Sequence, residues 1–410
     1  MHDDNGTVLL VGTRKGLWIG RSGKERKDWS WTGPHFDMEE VYSCMVDTRG
    51  DRPRLLVGTR KGLWVGTSDE AREEWSFTGP HFDMEEVYSC MVDTRSDPPR
   101  LYAGASSSWL GPRVRRSDDF GATWVEGEDG GIRFPEGSDA SVERVWQLVA
   151  GHDPETIWAG TEPGAVWRSA DGGNSFALER QLWDHPHRKE WGAGFGGQAF
   201  HTILPHPTDP GSVTVAISTG GVYQTSDGGE SWEPRNKGIR AEFLPEGQQY
   251  PEFGQCVHKV TRHPSRPERL YLQNHGGVYR SDDHAASWSY IGDGLAADFG
   301  FPIVVHPAEP DTIFVFPNSG GDGRHPPEGR ARVWRSKDAG ESWEELGKGL
   351  PDLFWVSVMR DAMCADDHQS PGIYFGARNG AVWGSTDSGE SWRQIVANLP
   401  DVMSVRAASY

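Results

Sequence analysis

The sequence predicts an all-β chain that forms an eight-bladed β-propeller of four-stranded antiparallel blades. Three observations support this: a recurring turn pattern, an aromatic residue that closes it at regular spacing, and a C-terminal strand without a partner. The aromatic positions are 29, 75, 124, 176, 232, 288, 343 and 392, at intervals of 46 to 56 residues. Such intervals match one four-stranded unit, so residues 1–410 are predicted to form a single domain.

The turn pattern is S-x-D-x-G-x-[ST]-W. Its aspartate is expected to accept hydrogen bonds from backbone N–H groups, its glycine supplies a positive φ, and its Ser or Thr anchors the turn locally. The aromatic residue then begins the last strand of a blade and packs between sheets. Clear copies lie at 116–124, 225–232, 335–343 and 385–392, with weaker ones at 169–176 and 281–288 and remnants ending at Trp29 and Trp75.

The strands before each turn complete the blades. The first unit offers only three, at 7–12, 16–20 and 29–32, whereas later units begin with an additional inner strand. The missing strand is predicted at 402–407, after the last turn pattern. Its addition would close the first blade with the C-terminus and remove an open sheet edge.

One blade is a recent copy of its neighbour. Residues 9–56 recur at 55–102, and residues 32–49 are identical to residues 78–95. A shared fold fixes a pattern but not eighteen consecutive identical residues, so this unit was duplicated, by a natural event or by engineering. The parent is therefore predicted to have had seven blades, since stacked units tolerate insertion of a whole repeat.

The charge and cysteine content of the chain indicate which classes of binding partner and which cell compartment to expect. The net charge is −19 and Lys and Arg are not clustered, so neither a nucleic-acid partner nor membrane binding is expected. The four cysteines lack metal-type spacing and read as reduced thiols of a cytoplasmic protein. No secretory signal or membrane span is apparent, and we expect a monomer without a cofactor.

The long loops indicate where a site would lie. Loops that join successive blades and loops between the second and third strands emerge on the same face of a propeller. The long segments belong to these two classes: 126–141, 180–198, 235–254, 292–300, 106–113 and 317–330. Function-bearing loops on a rigid scaffold predict a pocket at the mouth of the central channel. The alternative is that these loops merely cover the channel.

Candidate residues lie at the ends of these loops and at the starts of the inner strands. We predict Asp361, His258 and Glu143 as catalytic, because carboxylates and imidazole suit general acid–base chemistry. The predicted ligand-binding residues are His35, its copy His81, Arg144, Trp146, Trp191, His201, Gln255, His275 and Arg360. A metal site made by histidines of neighbouring blades is the alternative, but no pair has a diagnostic ligand spacing, so no metal site is predicted.

The chain resembles Asp-box (BNR) repeat propellers over its full length, and more narrowly bacterial sialidase-like or glycosyl-hydrolase-like proteins. The segments that carry this resemblance are 11–18, 143–146, 254–259, 273–279 and 360–363. The resemblance implies the fold and a glycan-related ligand. It does not imply sialidase activity, since true sialidases of this class have six blades and a Phe/Tyr-Arg-Ile-Pro motif, which residues 132–135 do not match.

Three hypotheses for function follow. The first is a pocket that binds a glycan or another small molecule, with glycoside cleavage of hydrolase or lyase type. The second is a non-catalytic scaffold for protein interaction. The third is a blade-duplication variant, evolved or engineered, that retains no activity.

Overall fold

The computed structural model describes residues 6–50, 52–70, 73–127, 131–192, 197–320 and 323–410. These residues form 32 strands, a four-residue helix, Arg180–Trp183, and two short 3-10 helices, Pro186–Glu190 and Pro327–Gly329. In this described part, no helix is long and apolar enough to cross a membrane. The strands group into eight four-stranded antiparallel sets, which confirms the predicted all-β, eight-bladed propeller fold.

The first four blades use the following strands in chain order. They are β1 (Gly6–Thr13), β2 (Gly16–Gly23) and β3 (Trp29–His35); β4 (Val41–Asp47), β5 (Arg54–Thr59), β6 (Gly62–Ser68) and β7 (Trp75–His81); β8 (Glu86–Asp93), β9 (Arg100–Ser107), β10 (Gly111–Ser117) and β11 (Val125–Glu126); β12 (Arg144–Ala150), β13 (Ile157–Glu162), β14 (Ala165–Ser169) and β15 (Ala177–Leu178).

The other four blades follow in the same order, and the final strand belongs to blade 1. They are β16 (Phe200–Pro205), β17 (Val213–Ile217), β18 (Gly221–Thr225) and β19 (Glu233–Pro234); β20 (Val257–Arg262), β21 (Leu270–Asn274), β22 (Gly277–Ser281) and β23 (Ser289–Tyr290); β24 (Ile303–Val305), β25 (Ile313–Val315), β26 (Val333–Ser336) and β27 (Glu344–Leu346); β28 (Val358–Ala365), β29 (Ile373–Ala377), β30 (Val382–Ser385) and β31 (Arg393–Val396); then β32 (Val402–Ser409).

The chain divides into two compact units. Unit 1 comprises Met1–Val41, Asn236–Pro251 and Val257–Tyr410, and contains blades 1, 6, 7 and 8. Unit 2 comprises Tyr42–Arg235 and Glu252–Cys256, and contains blades 2 to 5. In both, the second strands of the blades are almost continuously buried and apolar, as in β17 and β29, because each sheet is covered on both faces.

Unit 1 contains the closure of the first blade. Strand β32 pairs antiparallel with β1, from Thr7 opposite Ser409 to Thr13 opposite Val402. It also meets β28 in parallel, where Ser404 lies opposite Asp361. The predicted strand at 402–407 is therefore confirmed as the missing fourth strand of blade 1.

A buried polar network reinforces this closure. The Asp366 side chain is fully buried and pairs with Arg26 at 3.0 Å. It also accepts hydrogen bonds from the Tyr374 hydroxyl at 2.8 Å and the Gly372 N–H at 2.8 Å. Because Arg26 lies in blade 1 and Asp366 follows β28 of blade 8, the network fixes these two blades to each other.

The aspartate turns, defined as the S-x-D-x-G-x-[ST]-W segments, have the predicted hydrogen bonds. Asp119 accepts from the backbone N–H of Thr123 at 2.8 Å and from its hydroxyl at 2.6 Å. Ser117 donates its hydroxyl to Asp119 and accepts from the Gly121 N–H at 2.7 Å. The same arrangement recurs at Asp171, Asp227, Asp283, Asp338 and Asp387. The aspartates of these turns therefore have a structural role, because their carboxylates accept the hydrogen bonds that fix the turn within each blade.

Candidate functional site

A β-bulge interrupts the first strand of several blades at an equivalent position. In unit 2 the pairing register slips between Val87 and Ser89, between Val145 and Gln147, and between Phe200 and Thr202. The residues that lie at these register shifts are Tyr88, Trp146 and His201. In unit 1 the slips lie at His258 of β20 and residues 359–362 of β28, which include Arg360 and Asp361. A bulge redirects one side chain and is over-represented next to functional sites.

Unit 2 contains an aromatic row, which consists of Tyr42 and the bulge residues Tyr88 and Trp146. Tyr42 and Tyr88 stack with ring centroids 4.5 Å apart and planes at 17°. Tyr88 and Trp146 follow at 6.1 Å and 12°. All three residues are half-buried. Three neighbouring blades thus present nearly parallel aromatic rings.

Charged groups border the aromatic row. The Arg144 guanidinium lies 4.9 Å from the centre of the Tyr88 ring and within 3.3 Å of the Glu162 carboxylate. Glu143 lies 3.7 Å from the same guanidinium and is largely exposed. The Tyr88 hydroxyl donates to Glu86 at 2.6 Å, and burial together with this carboxylate raises the pKa of Tyr88 to about 12. Flat apolar rings beside acceptors and a guanidinium fork suit a polyhydroxylated ligand.

Other predicted binding residues of unit 2 lie away from open surface. Trp191 is buried, packs on Phe200 and donates its Nε1–H to the Tyr223 hydroxyl at 3.2 Å. His201 is also buried, with Nδ1 3.0 Å from the Thr202 hydroxyl, and Gln255 is fully buried. Trp191 therefore has at least a packing role, and ligand binding by these three residues stays a prediction.

The duplicated histidines His35 and His81 occupy the ends of last strands, β3 in unit 1 and β7 in unit 2, not of first strands. His35 Nε2 is 3.0 Å from the Thr32 hydroxyl, and His81 Nε2 is 3.3 Å from that of Thr78. Burial lowers the pKa of both imidazoles, which keeps them neutral at pH 7. The same contact with a threonine occurs in both copies because the surrounding sequence is duplicated. Ligand binding by His35 and His81 stays a prediction.

In unit 1, His258 is held in an aromatic cage. Its Nδ1 is 2.6 Å from the Gly300 carbonyl, which can only accept, so Nδ1 carries the proton. Phe301 stacks on the ring at 5.0 Å, and His275 approaches it edge-on at 5.7 Å. Burial lowers the pKa of His258 to about 3. A neutral imidazole of this kind is a weak base near pH 7, and its catalytic role stays a prediction.

Unit 1 also contains a group of charged side chains that we call the basic cluster. It is defined as Lys259, Arg360 and Arg406 around Asp361. Arg406 Nη2 lies 3.4 Å from Asp361 Oδ1, and Lys259 Nζ lies 3.9 Å from the same oxygen. Lys259 also donates to the Arg360 carbonyl at 3.2 Å. Burial would raise the pKa of Asp361, but Arg406, Lys259 and Arg360 lower it to about 2. This carboxylate is therefore a fixed anion and unsuited to donating a proton near pH 7.

Sequence reasoning found Glu143, Arg144 and Trp146, which the structure brings together, but missed Tyr42, Tyr88, Lys259 and Arg406. A signal for the two tyrosines was present. The first strands share an apolar residue followed by an aromatic one in the pairs 41–42, 87–88, 145–146, 200–201 and 257–258. Aligning these pairs would have placed the tyrosines in the same position as Trp146.

Comparison with known proteins gives a weak relationship. No protein-family model matches the chain. A probable oligoxyloglucan-reducing end-specific xyloglucanase from Neosartorya fischeri is 26% identical over 193 residues, which cover 46% of this chain and 20% of that protein. The chain thus spans only part of the length of this curated relative.

Solved structures of low identity align with most of the chain. The GH74 xyloglucanase from Xanthomonas campestris is 15% identical over 95% of this chain and 62% of that one, with a TM-score of 0.39. YCF48 from Cyanidioschyzon merolae is 13% identical over 77% and 87%, with a TM-score of 0.49. A putative 6-phosphogluconolactonase from Bacteroides uniformis is 13% identical over 99% and 100%, with a TM-score of 0.48.

The blade topology defines a β-propeller, and part of the chain is similar in sequence to a xyloglucanase. None of the proteins named here is a sialidase, and the resemblance to sialidase-like proteins stays a prediction.

Proposed function

We propose that this propeller binds glycans through the aromatic row of unit 2. The observation that carries the proposal is the set of three nearly parallel, half-buried rings beside Arg144 and Glu143. Because Tyr88 stacks between Tyr42 and Trp146, the row presents mainly ring edges to a sugar, while carboxylates and guanidinium groups exchange hydrogen bonds with its hydroxyls. The sequence similarity to a xyloglucanase supports neutral β-glucan oligosaccharides, xyloglucan fragments first, as the ligand class.

Glycoside cleavage is the finer part of the proposal. Hydrolysis of a glycosidic bond generally requires two carboxylates on opposite sides of the bond. Glu143 and Glu162 are the pair beside the row, since both approach the Arg144 guanidinium. Asp361 lies in unit 1 among cations and fits this role less well. Sialidase activity is not proposed.

Binding is tested by titrating xyloglucan and cello-oligosaccharides, with sialyllactose as an unrelated sugar, into the full chain. We expect Tyr88→Ala and Trp146→Ala each to weaken binding about two- to tenfold, because an aromatic contact contributes about 0.5–1.5 kcal/mol beyond the area it buries. Trp109→Ala is the matched control, since Trp109 is an exposed tryptophan of the same unit outside the row. Absence of wild-type binding to every neutral oligosaccharide, or equal loss in the control, would overturn the proposal.

Cleavage is tested separately by release of reducing ends from the oligosaccharides that bind. We expect Glu143→Gln and Glu162→Gln to abolish release while retaining most of the binding. Binding without release in the wild type would leave a glycan-binding protein and exclude this pair as catalytic.

A protein-interaction scaffold is the second candidate, favoured by one observation. Trp109 and Leu110 are 94% and 55% exposed at the tip of the β9–β10 hairpin. The turn is fixed, because the Ser107 hydroxyl accepts from the backbone N–H groups of both residues. Loss of a captured partner in Trp109→Ala, with glycan binding intact, would support the scaffold.

We also propose a cytoplasmic monomer. In the described part of the chain, Cys44, Cys90, Cys256 and Cys364 form no disulfide, as suits a reducing compartment. Cell fractionation and the mass measured by light scattering test these two points.

A further inference from the structure

A small cavity lies in unit 1, where the last strand of blade 1 begins beside the third and fourth strands of blade 8. Its volume is about 70 Å3, compared with about 10–15 Å3 for one water molecule. We call it the rim cavity, and its lining includes Arg26, Lys27, Trp29, Thr386, Trp392 and Arg393. Among the described residues that line it, none is acidic, so the lining is rich in hydrogen-bond donors and poor in acceptors.

Arg26 is the most buried cation of the rim cavity, with a side chain 8% exposed. In the described part of the chain, only Nη1 of its guanidinium donates, to the Asp366 carboxylate at 3.0 Å, and its Nε has no partner. Asp366 is fully used, because a carboxylate has about four acceptor sites and this one also accepts from the Tyr374 hydroxyl and two backbone N–H groups. The edge formed by Nε and Nη2 therefore remains, and such an edge binds an oxyanion through two parallel hydrogen bonds.

Two further donors of the rim cavity lack an acceptor. Trp392 is 5% exposed, and its Nε1–H has no hydrogen-bond partner. The hydroxyl of the half-buried Thr386 makes no hydrogen bond to any residue that the structure describes. Trp29 differs, because its Nε1–H donates to the Arg26 carbonyl at 3.2 Å. Buried donors without an acceptor are costly and rare in folded proteins, so a ligand with acceptor oxygens would supply what the lining lacks.

The charges of the lining favour an anion. The charge of Arg26 is balanced by Asp366. Lys27 lies 3.1 Å from Glu25, but both side chains are more than half exposed, so water screens this pair. Arg393 is exposed and has no ion pair among the described residues, which leaves one positive charge in excess. The exposed Lys27 and Arg393 also give an incoming ion a route from solvent.

Donors, charge and volume together define the ligand. We infer that the rim cavity is a binding site for an oxyanion, either a free phosphate or sulfate ion or the carboxylate or phosphate group of a larger molecule. These groups present mainly acceptor oxygens and negative charge, which match the donors of Arg26, Thr386 and Trp392. A neutral sugar carries many hydroxyl donors, and the lining offers no carboxylate to receive them. The site is therefore independent of the glycan site proposed for unit 2.

The experiment measures thermal stabilisation and calorimetric binding of the full chain with phosphate, sulfate, acetate and phenyl phosphate, each against chloride at equal ionic strength. We expect saturable binding of at least one oxyanion. Arg26→Lys is expected to weaken it about tenfold, because one ammonium group replaces the two-donor edge while the charge opposite Asp366 is kept. Arg393→Met should weaken it about two- to fivefold, as expected for an exposed charge. Lys15→Met, which removes an exposed cation of unit 1 outside the cavity, is the matched control and should leave binding unchanged.

The outcomes separate the possible sources and the two proposals. Tighter binding of phenyl phosphate than of phosphate would identify a group of a larger molecule, the reverse would identify a free ion, and tightest binding of acetate would identify a carboxylate. Tyr88→Ala is expected to leave anion binding unchanged, so this site can hold when the glycan proposal fails. No oxyanion effect beyond chloride in the wild type would overturn the inference. If Arg26→Lys does not fold, unchanged binding in both Arg393→Met and Thr386→Val would overturn it as well.

Discussion

Replacing Asp366 by Asn tests the account of how the first and last blades are fixed together. The Asp366 carboxylate has no exposed surface and accepts from Arg26, Tyr374 and Gly372 at 3.0, 2.8 and 2.8 Å. The substitution keeps the size of the side chain but removes its charge, and its amide group presents two protons to groups that are themselves donors. Arg26, with a side chain 8% exposed, would then be a buried cation without its counter-charge.

The expected cost follows from that burial. Removing one partner of a buried ion pair typically costs about 3–5 kcal/mol, whereas an exposed pair contributes about 0–1 kcal/mol. We therefore expect Asp366→Asn to lower the free energy of unfolding of unit 1 by about 3 kcal/mol. Glu25→Gln, which breaks the exposed pair with Lys27, is the matched control and should change it by less than about 0.5 kcal/mol.

The assay is urea unfolding followed by tryptophan fluorescence and far-UV circular dichroism. A double substitution, Arg26→Met with Asp366→Asn, should recover part of the loss, because no unpaired charge stays buried and the Asn carbonyl oxygen can still accept from Tyr374 or Gly372. A cost below about 1 kcal/mol for Asp366→Asn would refute the reasoning, and so would a double variant less stable than the single one.

Three further predictions follow. Hydrogen bonds to Asp119 and Asp227 lower their pKa values in the folded protein to about 2, below the unfolded value near 3.9. These two carboxylates therefore stabilise the folded protein above about pH 4, and the stabilisation is lost as the pH falls towards 2. In an acid titration, Asn variants at both positions should lose less stability in this window than the wild type, and an unchanged profile would contradict this. The His258 ring should not titrate between pH 8 and pH 5 in NMR spectra, and a midpoint near 6.5 would show that the ring is not desolvated. Deleting residues 55–100 should leave a folded protein of similar thermal stability, and an unfolded product would contradict the idea of a seven-bladed parent.

Local chemistry made much of the fold predictable. The S-x-D-x-G-x-[ST]-W pattern contains every donor and acceptor its turn needs within eight residues, so the turns could be derived without knowing the tertiary structure. The closing strand at 402–407 was also predictable, because the first repeat has only three strands and one strand remains after the last repeat. Both features depend on residues close in sequence or on simple counting.

The sites depend on information that sequence periodicity does not contain. A bulge shifts a strand by one residue, and Tyr88 and Trp146 lie at such shifts. Lys259 and Arg406 meet only because β20 and β32 converge on β28. Trp191 lies in a segment predicted as a loop, yet it is buried against Tyr223, because that segment packs across a neighbouring blade. Each outcome is set by long-range packing.

The copied blade leaves the closing strand with two equivalent docking edges. Residues 9–13 of β1, which pair with β32, recur letter for letter at 55–59 in β5. Strand β4 covers the corresponding edge of β5 in the folded protein. During synthesis this ambiguity is resolved by time, because β4 and β5 emerge long before β32 exists. Refolding from denaturant lacks that order, so β32 can pair first with β5, and such chains are expected to refold more slowly, because this pairing must open before β4 can take its place.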